Sequence, residues 1–150
     1  MDYYRLDKDK TFLVSLKAIL ISGGEILILR FPKSNDKKWS LKWQLPGGLL
    51  EMNEDIKQGL KRELKEEAGL EINVGKVFAI SDFKYKDFTF RDKRKLNTRI
   101  VEIGFMCTSK NKKIRLSSEH KNYKWIKKED LGKLDFGPDS KDIIKEFLRF

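Results

Sequence analysis

Apolar positions recur along this chain at two spacings, and each change of spacing marks a change of element. Thr11 to Ile21 (TFLVSLKAILI) predicts a strand, and Glu25 to Phe31 (EILILRF) its hairpin partner across Ser22, Gly23 and Gly24. In the partner, Ile26 and Ile28 alternate with Leu27, Leu29 and Phe31, so both faces are apolar and the strand is expected to be covered on two sides. Arg30 is the exception, placed either to reach a phosphate at the strand's end or to form a surface ion pair. Thr98 to Thr108 (TRIVEIGFMCT) is the clearest central strand, with Ile100, Glu102, Gly104 and Met106 on one face and Val101, Ile103 and Phe105 on the other. Glu102 breaks a buried pattern, which puts it at a substrate pocket or at an edge.

The remaining signals are shorter. Glu71 to Lys84 (EINVGKVFAISDFK) predicts one or two strands interrupted near Gly75, and Tyr85 to Lys95 (YKDFTFRDKRK) a basic, aromatic hairpin or loop. Ile114 to Leu116 and Tyr123 to Ile126 read as short strands, and Lys128 to Leu134 as a short helix. Asp139 to Phe150 reads as a terminal helix with Ile143, Ile144, Phe147 and Leu148 facing the sheet. No repeat, low-complexity tract or linker divides the 150 residues, so one domain over 1–150 is expected.

Between the strands, Asp55 to Ala68 has helical composition: no proline, only Ile56 β-branched, and Gly59 the one weak link. Asn53 is the expected N-cap, Glu54 and Asp55 suit the first turn, and Gly69 is placed to end the helix in a left-handed conformation. At about 100° per residue, with Ile56 at zero, Leu60 falls at about +40° and Leu64 at about +80°, while Lys57, Lys61 and Lys65 span about +100° to +180°. The lysines form the solvent stripe. On that wheel Glu63 lies at about −20° and Glu67 at about +20°, among the apolar residues, with Glu66 at about −80°. Carboxylates three and four positions apart repel unless a positive charge stands between them, and a divalent cation would supply it. With oxygen ligands only, Mg²⁺ or Mn²⁺ is favoured over zinc.

From Gly48 the chain reads G-x5-E-x7-R-E-L-x-E-E-x-G-L, in which Gly48, Glu54, Arg62, Glu63, Leu64, Glu66, Glu67, Gly69 and Leu70 fill every defined position of the Nudix hydrolase signature. Trp43, Leu45, Pro46 and Gly47 before it also resemble that family's approach to its box. The resemblance implies an α/β/α sandwich around a mixed sheet, with a loop-helix-loop cassette packed on the sheet by Ile56, Leu60 and Leu64. It implies Mg²⁺, with Mn²⁺ as a substitute, held by Glu63, Glu66, Glu67 and the carbonyl of Gly47, and an Arg62–Glu54 ion pair that steadies the cassette. Glu119, in EHKNYKW, resembles the family's loop acid and is implied as a further ligand or the general base; Glu63 and Glu66 are the other bases in view. The reaction implied is hydrolysis of a nucleoside diphosphate linked to another group. A nucleoside triphosphate is expected first, with ADP-ribose, a dinucleoside polyphosphate and RNA 5′ ends as alternatives, and a non-catalytic nucleotide or RNA sensor as the rival class.

Composition narrows this little further. Cys107 is the only cysteine and His120 the only histidine, so disulfides, zinc sites and histidine-centred triads have little to work with. No long apolar run suggests a membrane span and the N-terminus lacks a secretory signal's apolar segment, so a cytoplasmic protein, monomeric or homodimeric, is expected. The net charge of +10 suits nucleotides or RNA as partners, and equally a lysine-rich surface of the heat-adapted kind. Of Trp39 and Trp43, one is expected in the core and one beside the site, where an indole can stack on a base. Phe88 and Phe90, interleaved with Arg91, Lys93, Arg94 and Lys95, suit nucleotide contact or a solvated loop with its rings tucked in.

Overall fold

The computed structural model describes residues 10–150; the leader read for a secretory signal lies, up to residue 9, outside the described residues. Strand β1 (Lys10–Ser22) is the spine of a mixed sheet of order β3-β2-β1-β6-β5. It runs parallel to β6 (Lys95–Thr108) from Lys10↔Asn97 to Ile21↔Thr108, and turns back antiparallel into β2 (Glu25–Arg30) at Ser22↔Glu25. The short strands β3 (Trp43–Gln44) and β4 (Gly47–Leu49) pair β2 and β1, β5 (Asn73–Thr89) pairs β6, and β7 (Asn122–Ile126) pairs β2. Among the described residues no helix is long and apolar enough to cross a membrane.

Because side chains alternate across a strand, β1 and β2 feed two cores. Leu16, Ala18, Leu20, Leu27 and Leu29 pack with Leu60, Leu64 and Ala68 of helix α1 (Ile56–Ala68). Ile19, Ile26 and Ile28 pack on the other side with Leu131 of α2 (Lys128–Leu131) and Ile143, Ile144 and Phe147 of α3 (Lys141–Phe147). The expected α/β/α sandwich is therefore present, with β2 covered on both faces.

Several boundaries differ from expectation, each for a local reason. Asp55, not Asn53, caps α1: its Oδ1 accepts from Gln58 N at 2.8 Å while Gln58 Oε1 accepts from Asp55 N at 3.2 Å, a reciprocal pair Asn53 cannot make with Ile56 three places on. Gly69 ends the helix at φ 68°, as expected. Ile56 sits in the first turn and is 39% exposed, so Leu60 and Leu64 do the packing. The interruption expected near Gly75 is a register shift between Val74 and Val77 inside one continuous strand; β5 runs through to Thr89 with further shifts at Val77/Ala79 and Tyr85/Phe88 and then turns as a hairpin into β6. Ile114 to Leu116 forms no strand, because Arg115 N donates to Ala68 O and Ser117 N to Glu67 O, both at 2.9 Å, satisfying the end of α1 instead of a sheet. The helix expected over Lys128 to Leu134 stops at Leu131, and α3 spans only Lys141–Phe147, leaving Leu148 outside the core.

Helix α1 should therefore be held through its middle turns. Leu64→Ala is expected to cost about 2–5 kcal/mol in urea denaturation and Ile56→Ala about 0.5 kcal/mol or less. Equal losses at both positions would mean that α1 packs through another face.

Candidate active site

The loop from β3 into α1 and the buried side of α1 build one cluster. Gly47 has φ +136°, a conformation L side chains rarely adopt, and a Cβ there would stand 1.9 Å from Leu16 O. Only glycine lets this strand lie so close to β1, and the approach lets Gly47 N donate to Glu67 Oε1 at 3.1 Å. A Cβ on Gly48 would lie 2.5 Å from the Glu63 carboxyl carbon, so that glycine leaves the room Glu63 occupies.

Arg62 ties the cassette together. Its Nε and Nη2 donate to the two oxygens of Glu54 at 2.8 and 2.7 Å, a bidentate pair, and Nη2 also donates to Leu49 O at 3.1 Å. The guanidinium holds the Glu54 carboxyl down at about 2. Nη1 reaches Glu63 Oε1 at 3.0 Å and Glu66 Oε2 at 3.1 Å. Glu66 is exposed, Glu63 is half-buried and Glu67 is buried at 4%.

Burial and mutual repulsion set the electrostatics. Glu67 is pushed well above the ordinary carboxylate range first by burial, against the pull of the Lys17 ammonium, and further by Glu63. Glu63 is raised by burial, against Arg62. Glu67 Oε2 is buried without a hydrogen-bond partner among the described residues. His120 Nε2 stands 3.3 Å from it, with the ring 4% exposed and held neutral by burial, its pKa lowered to about 4. Beneath the site Lys17, 3% exposed, donates to Asp139 Oδ2 at 2.7 Å and Leu45 O at 3.4 Å.

These groups line one cleft of about 760 Å³. Glu63, Glu66, Glu67 and Glu119 stand in it together, and Phe31, Trp39, Phe83, Tyr85 and Phe88 form an aromatic wall. Trp39 stacks on Tyr85 at 5.7 Å and meets Phe31 edge-on at 5.3 Å, and Tyr85 meets Phe88 at 5.3 Å. Trp39 is thus the indole beside the site, whereas Trp43 lies in the core, 5% exposed. Arg30 is also outside the cleft: its Nε donates to Leu41 O at 2.9 Å and its guanidinium lies 5.2 Å over Trp43. Glu102 is central and buried, its neighbours Ser15 and Ile100 reaching the cleft. Sequence reasoning set His120 aside and passed over Lys17, Gln44 and Asp139. Lys17 left a trace as the lone cation in TFLVSLKAILI; the others left none that separates them from ordinary polar residues.

The residues suit a hard divalent cation. The donors are oxygens, one buried oxygen of Glu67 is unpartnered, and two carboxylates are forced up by burial first, with the charge of Glu66 adding at Glu63 and that of Glu63 adding at Glu67. In this arrangement Arg62 takes the place between Glu63 and Glu66, and among the described residues no three acidic or histidine side chains converge on one point.

The family model described as the NUDIX domain matches residues 12–147, nearly the whole described chain. The chain belongs to the Nudix family. Nudix hydrolases generally use divalent metal ions, and this chain is a Nudix pyrophosphohydrolase. It is 29% identical over 106 residues to the nucleoside triphosphatase NudI of Escherichia coli, covering 69% of this chain and 74% of that one. The MutT protein structure from Methanosarcina mazei superposes with a TM-score of 0.75 at 26% identity, covering 95% and 97% of the two chains. The Escherichia coli ORF135 protein gives a TM-score of 0.73 at 23% identity, with 93% and 90% covered.

The buried acid behind this Nudix cleft gives a pH signature. Burial pushes Glu102 up to about 8, against Lys17 and with Asp139 and Asp142 adding to the rise. Between its ordinary 4.5 and about 8 the folded protein holds a proton the unfolded chain releases, so this group's stability contribution falls as pH rises through that window. His120, held low, contributes the opposite slope, confined below its ordinary 6.5. In thermal melts above about pH 6.5 the histidine drops out and the raised carboxylates Glu102 and Glu67 share the decline, so the variant reads the Glu102 part. Glu102→Gln should make the wild-type decline toward pH 8 shallower and melt higher there, and parallel curves would refute the assignment.

Proposed function

We propose that this protein hydrolyses a nucleoside or deoxynucleoside triphosphate to the monophosphate and pyrophosphate with Mg²⁺, Mn²⁺ serving as a substitute. What carries the reading is one cleft whose lining holds both Glu63, Glu66, Glu67 and Glu119 and the rings of Phe31, Trp39, Phe83, Tyr85 and Phe88. Flat rings suit a base, because stacking contributes about 1–3 kcal/mol per base and every base has a face to offer. The similarity to a nucleoside triphosphatase favours the triphosphate over ADP-ribose, a dinucleoside polyphosphate or an RNA 5′ end. The setting that goes with it is a single domain in the cytoplasm.

In this reading Glu63, Glu66, Glu67, Glu119 and the Gly47 carbonyl would hold Mg²⁺, which when bound would neutralise charge on the phosphates and acidify an attacking water. The water oxygen bonds to one phosphorus of the α–β anhydride, the bond from that phosphorus to the bridging oxygen breaks, and its electron pair stays on the bridging oxygen of the departing product. Glu63, Glu66 or Glu119 takes the proton. Arg62 keeps Glu54, Glu63 and Glu66 in register, and the Gly47 N–H keeps Glu67 turned inward.

A hydrolysis panel of nucleoside triphosphates, ADP-ribose, dinucleoside polyphosphates and 5′-triphosphorylated RNA, each with Mg²⁺, tests the substrate, and the triphosphates should turn over fastest. Glu67→Gln keeps the shape and removes a charge; it should slow the best substrate roughly a hundredfold or more, on the order of 3 kcal/mol. A wild-type rate in that variant would sink the site assignment.

A further inference from the structure

The buried oxygen of Glu67 and the sole histidine belong to one device. Glu67 is held at two points, Gly47 N donating to Oε1 at 3.1 Å and Ser117 N to its backbone carbonyl at 2.9 Å, and His120 Nε2 stands 3.3 Å from the unpartnered Oε2. The last two come from one segment, Ser117 to His120, closed on itself by His120 N to Ser117 O at 3.3 Å. Ser117 Oγ lies 3.3 Å from His120 Nδ1. A neutral imidazole donates from one nitrogen and accepts at the other. With the proton on Nε2, that N–H faces Glu67 Oε2 and Nδ1 accepts from the Ser117 hydroxyl, and the Gln44 amide, whose nitrogen stands against Nε2 in this structure, turns over to offer its oxygen instead. With the proton on Nδ1, Nε2 accepts from the Gln44 amide and Nδ1–H donates to the Ser117 hydroxyl, but no donor reaches Glu67 Oε2, which stays buried and unpartnered.

We propose that His120 is a positioning residue: its Nε2–H holds Glu67 Oε2 in the orientation that receives the divalent cation and pins to α1 the loop whose preceding residue, Glu119, reaches the cleft. The inference rests on the metal reading of the cluster given above. Packing alone would not need it, since the ring's contact with Phe31, at 6.4 Å between centroids, is served by any flat apolar side chain. The donor, and not the ring, carries the role.

Because the chain has one histidine, its imidazole nitrogens give a single pair of signals in ¹⁵N-labelled protein. Long-range ¹H–¹⁵N correlation at neutral pH should report the Nε2–H tautomer, and the Nδ1–H tautomer would overturn the proposal without any mutation. Mn²⁺ binding in the absence of nucleotide, read by the electron paramagnetic resonance of the free ion, supplies the second test. His120→Phe, which keeps a flat ring and no donor, should weaken Mn²⁺ binding roughly 10- to 100-fold, the usual effect of losing a partner behind a metal ligand. His120→Gln, whose amide donates from near the same place, should recover most of that loss. Should His120→Phe fail to fold, Ser117→Ala, which frees the ring's other side, is expected to weaken Mn²⁺ binding severalfold. Wild-type affinity in a folded His120→Phe or, failing that, in Ser117→Ala overturns the role of His120 alone. No Mn²⁺ binding by the wild-type protein would overturn this inference and the metal reading together.

Discussion

Two like charges held together on the covered side of a helix are the constraint to which the rest of the structure answers. Glu63 and Glu67 stand one turn apart, half-buried and buried, where water cannot screen them well. Left to helix physics alone they would turn outward, as acidic residues usually do. Three things prevent that here: Arg62 reaches Glu63 from one side, Lys17 attracts Glu67 from the strand beneath, and the Gly47 amide is aimed at Glu67 by a backbone that only glycine adopts comfortably. A Nudix cleft lined by several carboxylates is the result.

The same constraint explains why the loop after β6 is irregular. Its amides at Arg115 and Ser117 serve the last carbonyls of α1. A segment spent in this way has no amides left for a neighbouring strand, and the path it follows brings Glu119 and His120 over the cluster. Irregular backbone at this point has a purpose that a third strand partner would defeat.

What was legible in the sequence follows from how local each signal is. The two-sided strand β2, the central strand β6, the helix end at Gly69 and the box residues from Gly48 to Leu70 are all written within a few neighbouring positions. Trp39 and Trp43 could not be told apart, because four positions in a loop say nothing about which side of a sheet each will meet. Ile56 was misread since the wheel treats every turn of α1 as equally covered, and the first turn leaves Ile56 exposed. His120 was set aside on the ground that it stands alone in composition. In space its partners, Glu67, Gln44 and Ser117, come from three separate stretches, and no spacing rule brings those together.

The Lys17–Asp139 pair joins positions 122 apart, between the first described strand and the start of the last helical segment. A buried ammonium that lacks its counter-ion is costly, so the floor of the cleft stays electrically unfinished until the chain has been made as far as Asp139. β1 must wait likewise for β6 before its parallel ladder closes. Assembly of this pocket is therefore a late event in the molecule's own history: a chain cut short before Asp139 would keep every residue of the acidic signature and still lack the charge that lets Lys17 lie beneath it.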